Sequence, residues 1–310
     1  MNTRIIKGFL ALVCIGVLLN APLAQQTVTP APAKESQPDR VALHQALLDL
    51  TNPWTVMCIA AHPDDEDGSS LIVMRRKHGA HTVSLFTTFG EGGQNAIGPE
   101  LYEELGAIRV QETRAASEIQ GSIPQFLGLK DFGYSKSADE AYRVWGREES
   151  LRRMVLHIRK LRPHVIITNH DTGRGHGHHQ ATGQLILEAF DAAADPKRFP
   201  EQLPHLSVWQ PIRLFVRMRT QAGSNNSAPR SGEPAEKFVT IDPNERDPVR
   251  QTTYAEQALE ALQRHASQGP WPKTIAAGSS LFLARRRASL RRMLSCSTQS
   301  SVASRVFSAK

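Results

Sequence analysis

The chain has 310 residues, 40% of them apolar, and a formal net charge of +7. Eight Lys and Arg but no Asp or Glu fall in residues 273–310, so the rest of the chain sums to −1 and is not a basic nucleic-acid-binding body. With only three cysteines there is no disulfide framework, and the apolar content suits one sizeable core.

Residues 1–24 show the three parts of an export signal: Arg4 and Lys7, an apolar run over 9–19, and Ala21-Pro22-Leu23-Ala24. Cleavage after Ala24 is expected, leaving no membrane span and placing the protein in the periplasm or outside the cell. Cys14 would leave with this segment. Residues 25–50 read as a polar, Pro-rich leader followed by a short helix that packs through Leu43, Ala46, Leu47 and Leu50.

From residue 51 to 272 strand and helix patterns alternate, the signature of an α/β domain. A strand near 55–61 contains Cys58, a core position, and precedes a helix near 69–78 and a strand over 82–88. A Gly-rich loop, Gly90-Glu91-Gly92-Gly93-Gln94-Asn95, follows. Residues 100–120 form a covering helix with Leu101, Leu105, Ile108, Ala115, Ala116 and Ile119 on one face. Residues 131–145 lack periodicity and read as a long loop with Asp131, Tyr134 and Trp145 as candidates for the wall of a binding site. A helix over 148–161 stops at Pro163 and leads to a strand at 164–168, then a helix over 180–194. Strands at 212–218 and 237–241 flank an exposed excursion at 223–234. A last helix, 254–265, ends at His265, which reads as structural. Residues 273–310, with Cys296, read as a basic, disordered tail.

Chemistry concentrates at two strand ends. The first strand runs into His62-Pro63-Asp64-Asp65-Glu66-Asp67, and the strand at 164–168 runs into Asn169-His170-Asp171 and on to His176-Gly177-His178-His179. In open α/β sheets, loops at the C-terminal ends of strands line the ligand crevice. Imidazoles and carboxylates gathered there suit a divalent ion, with another carboxylate left to accept a proton.

The pair of motifs His62-Pro63-Asp64-Asp65-Glu66 and His176-x-x-His179-x-Ala181-Thr182-Gly183 resembles the LmbE/PIG-L family of zinc-dependent N-deacetylases, over residues 54 to 269. The resemblance implies an α/β, Rossmann-like three-layer sandwich with a mostly parallel sheet. It implies Zn2+, with Fe2+ as the alternative, on His62, Asp65 and His179. Asp64 would be the general base, and His176, as imidazolium, would hold the oxyanion and protonate the amine. Arg109, Glu91 and Asn95 would contact an N-acetylated sugar or glycoconjugate, and His178 would either contact it or support the ligands from behind. Arg109 and Glu112 match an Arg-x-x-Glu pattern of similar proteins, and residues 264–269 resemble their closing segment. Gly177 and His178 depart from the commoner Pro and Asp. Glu66 is expected to support the loop or cap the next helix. Two rival functions are a metal-dependent phosphoesterase and a non-catalytic carbohydrate-binding protein on a truncated deacetylase scaffold.

Overall fold

The uncharged stretch Thr55–Ala60 forms β1, and five of its six residues are buried. Successive side chains of a strand point to opposite faces, so a strand buried on both sides must be apolar at every position. Met57 and Ile59 enter one core and Val56 and Cys58 the other. The computed structural model describes residues 37–218, 238–274 and 281–289.

In chain order the described elements are α1 (Gln37–Thr51), β1, α2 (Gly68–Ile72) with a π-helical continuation (Val73–Lys77), β2 (His81–Thr88), α3 (Glu103–Gln120), β3 (Ser122–Leu129), α4 (Ala138–Trp145), α5 (Arg147–Leu161), β4 (Val165–Thr168), α6 (Gly177–Ala192), β5 (Arg213–Arg217), β6 (Phe238–Ile241), α7 (Tyr254–Gln263) and β7 (Leu281–Ala288). The strands make one sheet in the order β3-β2-β1-β4-β5-β7-β6. Pairings from β3 to β5 are parallel, and β7 runs antiparallel to both β5 and β6. One face packs on α5 and α6 through Leu151, Met154, Ile158, Leu185 and Phe190. The other packs on α2 and α7 through Leu71, Ile72 and Tyr254. Helices on both faces of a mostly parallel sheet give the α/β class expected from the alternating pattern and the three-layer architecture implied by the resemblance.

The order places β1 beside β4, while β2 and β5 lie on their outer sides. The chain thus leaves β1 in one direction and β4 in the other, and the crevice between the two departures is where such folds bind ligands. Both His/Asp motifs emerge there.

Several expectations are corrected. Helix α1 forms, but Leu43, Leu47 and Leu50 are exposed. Its buried contacts are polar: Gln45 donates to the Arg75 carbonyl, and Asp49 pairs with Arg75. Leu101 is exposed and precedes the start of α3. Strand β3 has little apolar burial and contains Pro124, tolerated because β3 is the sheet edge. The loop read over 131–145 ends in α4, where Ser137 caps the helix by accepting from the Glu140 amide. The excursion at 223–234 and the export segment at 1–24, Cys14 included, lie outside the described residues, as does Cys296.

The largest correction concerns the tail. Residues 281–288 are a strand inserted between β5 and β6, with Leu283 buried at 1% exposure. Three consecutive arginines, Arg285 to Arg287, hid it: their backbone pairs with β5 while the Arg287 guanidinium reaches the Asp191 carboxylate. A domain ending at residue 272 therefore lacks the strand that joins β5 to β6. Burying one leucine contributes about 2 kcal/mol, and about 1 kcal/mol shifts the melting temperature of a domain this size by roughly 2–4 °C. A protein of residues 25–272 should melt at least ~5 °C below one of residues 25–310; equal melting temperatures by circular dichroism would refute this placement of β7.

Candidate metal centre and active site

Two hydrogen bonds tie the ends of β1 and β4 together. The Ala61 amide donates to His170 Nε2 at 2.8 Å, and Asn169 Nδ2 donates to the Asp65 carbonyl at 2.8 Å. His170 is buried, so this contact fixes its tautomer with the proton on Nδ1. The loop after β1 turns sharply: the Asp65 amide donates to the His62 carbonyl, and Asp64 takes a φ of 88°. A non-glycine residue there is strained by about 1–3 kcal/mol and must be held from outside.

Glu66 supplies the hold. One carboxylate oxygen accepts from the Asp64 amide at 3.0 Å, and the other accepts from Gln120 Nε2 at 2.8 Å and lies 3.4 Å from His265 Nε2. His265 is fully buried against it. The helix cap itself is Asp67, whose side chain accepts from the Ser70 amide and hydroxyl. Of the two roles weighed for Glu66, loop support is the one observed. Buried Cys58 receives the Asp67 amide on its sulfur, a core role, and burial pushes its thiol up.

The structure brings His62, Asp65 and His179 together. Asp65 Oδ2 lies 2.9 Å from His62 Nδ1 and 3.1 Å from His179 Nε2. Donors bound tetrahedrally at 2.0–2.1 Å sit about 3.3 Å apart, so this set is close to the spacing a zinc-type ion requires. Charge agrees. Burial raises the Asp65 carboxyl, but hydrogen bonds from His179 and His62 offset it and hold the group well below the usual range. Burial, then the charges of Asp65 and Glu66, push Asp64 up to about 9. Unit charges about 4 Å apart interact by roughly 4 kcal/mol at an effective dielectric near 20, so a cation beside these carboxylates would relieve a real repulsion. The residues present fit a divalent ion.

His176 is the N-cap of α6 and stacks on His62 with ring centroids 5.0 Å apart. Its Nδ1 lies 3.4 Å from the Ser135 hydroxyl. That hydroxyl accepts from the His178 amide and keeps a proton it can give to His176 Nδ1, an arrangement that places the ring proton on Nε2. Burial, followed by the charges of His179 and His62, pushes His176 down to about 4. That direction favours a neutral ring at His176 over the imidazolium expected.

A cleft of about 360 Å³ joins these groups, lined by His62, Asp64, Asp65, His176 and His179 with Arg109, Asp131, Tyr134, Gln268 and the backbone around Gly92 and Gly93. Arg109 is buried and clamps the Gly-rich loop, donating to the carbonyls of Gly90, Gly93 and Gln94. It also reaches Ser267 Oγ at 3.2 Å, while Glu112 accepts from the Ser267 amide and hydroxyl. The Arg-x-x-Glu pair therefore pins the closing segment, and the adjacent Gln268 donates to the Pro63 carbonyl.

Glu91, Asn95 and His178 do not line the cleft. Glu91 accepts from the Phe89 and Asp131 amides, Asn95 bonds within its own loop, and His178 is fully buried behind His62. Of the three wall candidates, Asp131 and Tyr134 line the cleft, whereas Trp145 is buried and donates to the Lys130 carbonyl. Sequence reasoning missed Gln268. Asp131, already a candidate, stands just past the end of β3, a third strand end whose burial pattern is too weak to mark in sequence. Gly177 has a local reason: its amide donates to the Ser135 carbonyl, which proline cannot do, and a Cβ would lie 2.1 Å from the Ser137 oxygen.

Fold and site together define an α/β protein with a His/carboxylate centre at the switch point of its sheet. The chain belongs to the PIG-L (GlcNAc-PI de-N-acetylase) family, whose pattern it matches over residues 57–190. It is 33% identical over 171 residues to a 1D-myo-inositol 2-acetamido-2-deoxy-alpha-D-glucopyranoside deacetylase from Geodermatophilus obscurus, covering 49% of this chain and 58% of that protein. The protein of the same name from Thermobifida fusca is 30% identical over 248 residues, covering 70% of this chain and 84% of the relative. The N,N'-diacetylchitobiose deacetylase of Pyrococcus horikoshii shares the fold, with a TM-score of 0.52 at 19% identity, over 76% of this chain and 81% of that one.

Proposed function

We propose that this chain is a metal-dependent hydrolase that removes the N-acetyl group from an N-acetylglucosamine-type sugar or conjugate. The observation that carries the reading is the convergence of His62 Nδ1, Asp65 Oδ2 and His179 Nε2 on one point of a cleft that Asp64 and His176 also line. The names of the related deacetylases support the substrate class, and a cleft of about 360 Å³ is within the range of small-molecule sites. The ion proposed is Zn2+, with Fe2+ suited by the same two imidazoles and carboxylate. An imidazole-rich set with a single carboxylate favours this over a carboxylate-rich phosphoesterase.

An ion held by His62, Asp65 and His179 supplies Lewis-acid activation of water and of the amide carbonyl. With an ion on His62, Asp65 and His179 offsetting the neighbouring negative charge that helps to raise it, Asp64 would be ionised and accept the proton as water adds to the acetamide carbon. His176 donates its Nε2 proton in a hydrogen bond to the oxyanion that develops, a contact that strengthens as charge forms. Asp64 then returns its proton to the nitrogen as the carbon–nitrogen bond breaks, a role suited to a carboxyl whose burial favours the protonated form. The products are acetate and the free amine. Arg109 keeps the Gly-rich loop in place, and Tyr134, 78% exposed at the cleft mouth, offers an aromatic face to the sugar.

Export belongs to the same proposal and rests on Arg4, Lys7 and the apolar run alone; N-terminal sequencing of the exported protein should begin at Gln25, and recovery of the intact chain from the cytoplasm would count against it. For the reaction, zinc-loaded protein should release acetate from a panel of N-acetylated amino sugars. Asp64→Asn should keep its zinc and lose roughly 10²- to 10⁴-fold in kcat, the usual contribution of a general acid or base. Wild-type rates in the variant would remove Asp64 from the chemistry, and zinc-loaded, folded protein that binds such sugars without releasing acetate would favour the binding-protein alternative.

A further inference from the structure

His178 stands where similar proteins have an acid, yet it does not line the cleft. It is fully buried, stacked on Trp145 with centroids 4.8 Å apart and edge-on to Phe132 at 4.5 Å. Its Nδ1 points at His62 Nε2 across 3.0 Å. The Asp131 carboxylate closes the group, one oxygen 3.7 Å from His178 Nδ1 and the other 3.8 Å from His62 Nε2. Asp131 is itself fixed, with its amide on Glu91 Oε1 and Oδ1 accepting from the Gly133 amide.

His62 presents Nδ1 to Asp65 on the side of the candidate metal centre. An imidazole that gives Nδ1 to an ion must carry its proton on Nε2, and that proton requires an acceptor if the ring is to hold its angle. The nearest acceptor is His178 Nδ1. Its own proton then sits on Nε2, an atom buried with no hydrogen-bond partner among the described residues. Leaving that donor unpaired costs about 1–3 kcal/mol, which a residue present for packing alone would not incur.

We propose that His178, backed by Asp131, is the positioning residue for His62: Nδ1 of His178 accepts the Nε2 proton of His62 and so leaves His62 Nδ1 unprotonated and aimed at the ion. This rests on the metal-dependent reading given above. The acid of the commoner motif is thereby replaced by an imidazole on α6 together with a carboxylate after β3. The Glu91 contact to the Asp131 amide makes the Gly-rich loop part of the same support.

The test is zinc affinity of the full chain, measured by competition with a chromogenic chelator, with stoichiometry from elemental analysis. His178→Phe keeps a ring between Trp145 and Phe132 but removes the acceptor. It should bind one zinc, as the wild type does, with affinity weakened about 10- to 100-fold, the usual effect of losing such a partner. His178→Asn, whose Oδ1 falls near the place of Nδ1, should recover most of that loss despite a lower melting temperature. Unchanged affinity in His178→Phe would overturn the proposal. Two zinc ions in the wild type and one in the variant would overturn it too, since His62, His176 and His178 also lie close enough to share an ion and His178 would then be a ligand. Should His178→Phe fail to fold, His178→Leu against His178→Asn decides the same point, and equal weakening in both sinks the idea. Absence of zinc binding by the wild type would instead remove the metal reading, and this inference with it.

Discussion

The 2.8 Å hydrogen bond from the Ala61 amide to His170 Nε2 joins the ends of β1 and β4, and the site depends on that junction. Both strands are buried, so their register is set by side chains on two faces at once. With register fixed, the residues that follow each strand are delivered to one crevice. The second bond, from Asn169 to the Asp65 carbonyl, crosses the same gap and holds the loop that carries Asp64 and Asp65. Loops built this way need little mobility to assemble a metal centre. The strain at Asp64 is contained by Glu66 and, behind it, by His265 and Gln120.

Around this junction polar side chains are spent on holding backbone. Arg109 organises the Gly-rich loop and Glu112 secures Ser267, so α3 links the two segments that complete the cleft. Glu91, inside the Gly-rich loop, reaches out to position Asp131. Glu91 and Glu112 stand one layer behind the groups that line the cleft, while Arg109 both lines it and holds the loop. Such layers restrict the ligands to one geometry, which is what electrostatic catalysis needs.

The two strand-end motifs were legible in sequence because the clusters follow short apolar runs and contain the residue types that metal chemistry uses. The alternating helix and strand pattern was legible for the same reason, periodicity set by burial. What escaped shows the limits of that signal. Strand β3 is an edge with a proline and mostly half-buried side chains, so its pattern is faint. Strand β7 has arginines at three of its eight positions, facing α6 and solvent, which reads as a disordered basic run. Helix α1 was recognised as a helix but its buried side was misjudged, because its attachment is made by Gln45 and Asp49 and not by leucines. At the site, the resemblance implies substrate contacts for Glu91 and Asn95 and leaves His178 between substrate and support, whereas the side chains of all three turn away from the cleft into the supporting layer.

The central claim is that one divalent ion is held by His62, Asp65 and His179. Its most direct test is an anomalous difference map, recorded at the zinc edge from crystals grown with one equivalent of zinc. The account predicts a single peak about 2.0–2.2 Å from His62 Nδ1, an Asp65 carboxylate oxygen and His179 Nε2. A peak placed instead among His62 Nε2, His176 and His178, or no peak in a crystal whose protein carries zinc in solution, would contradict it.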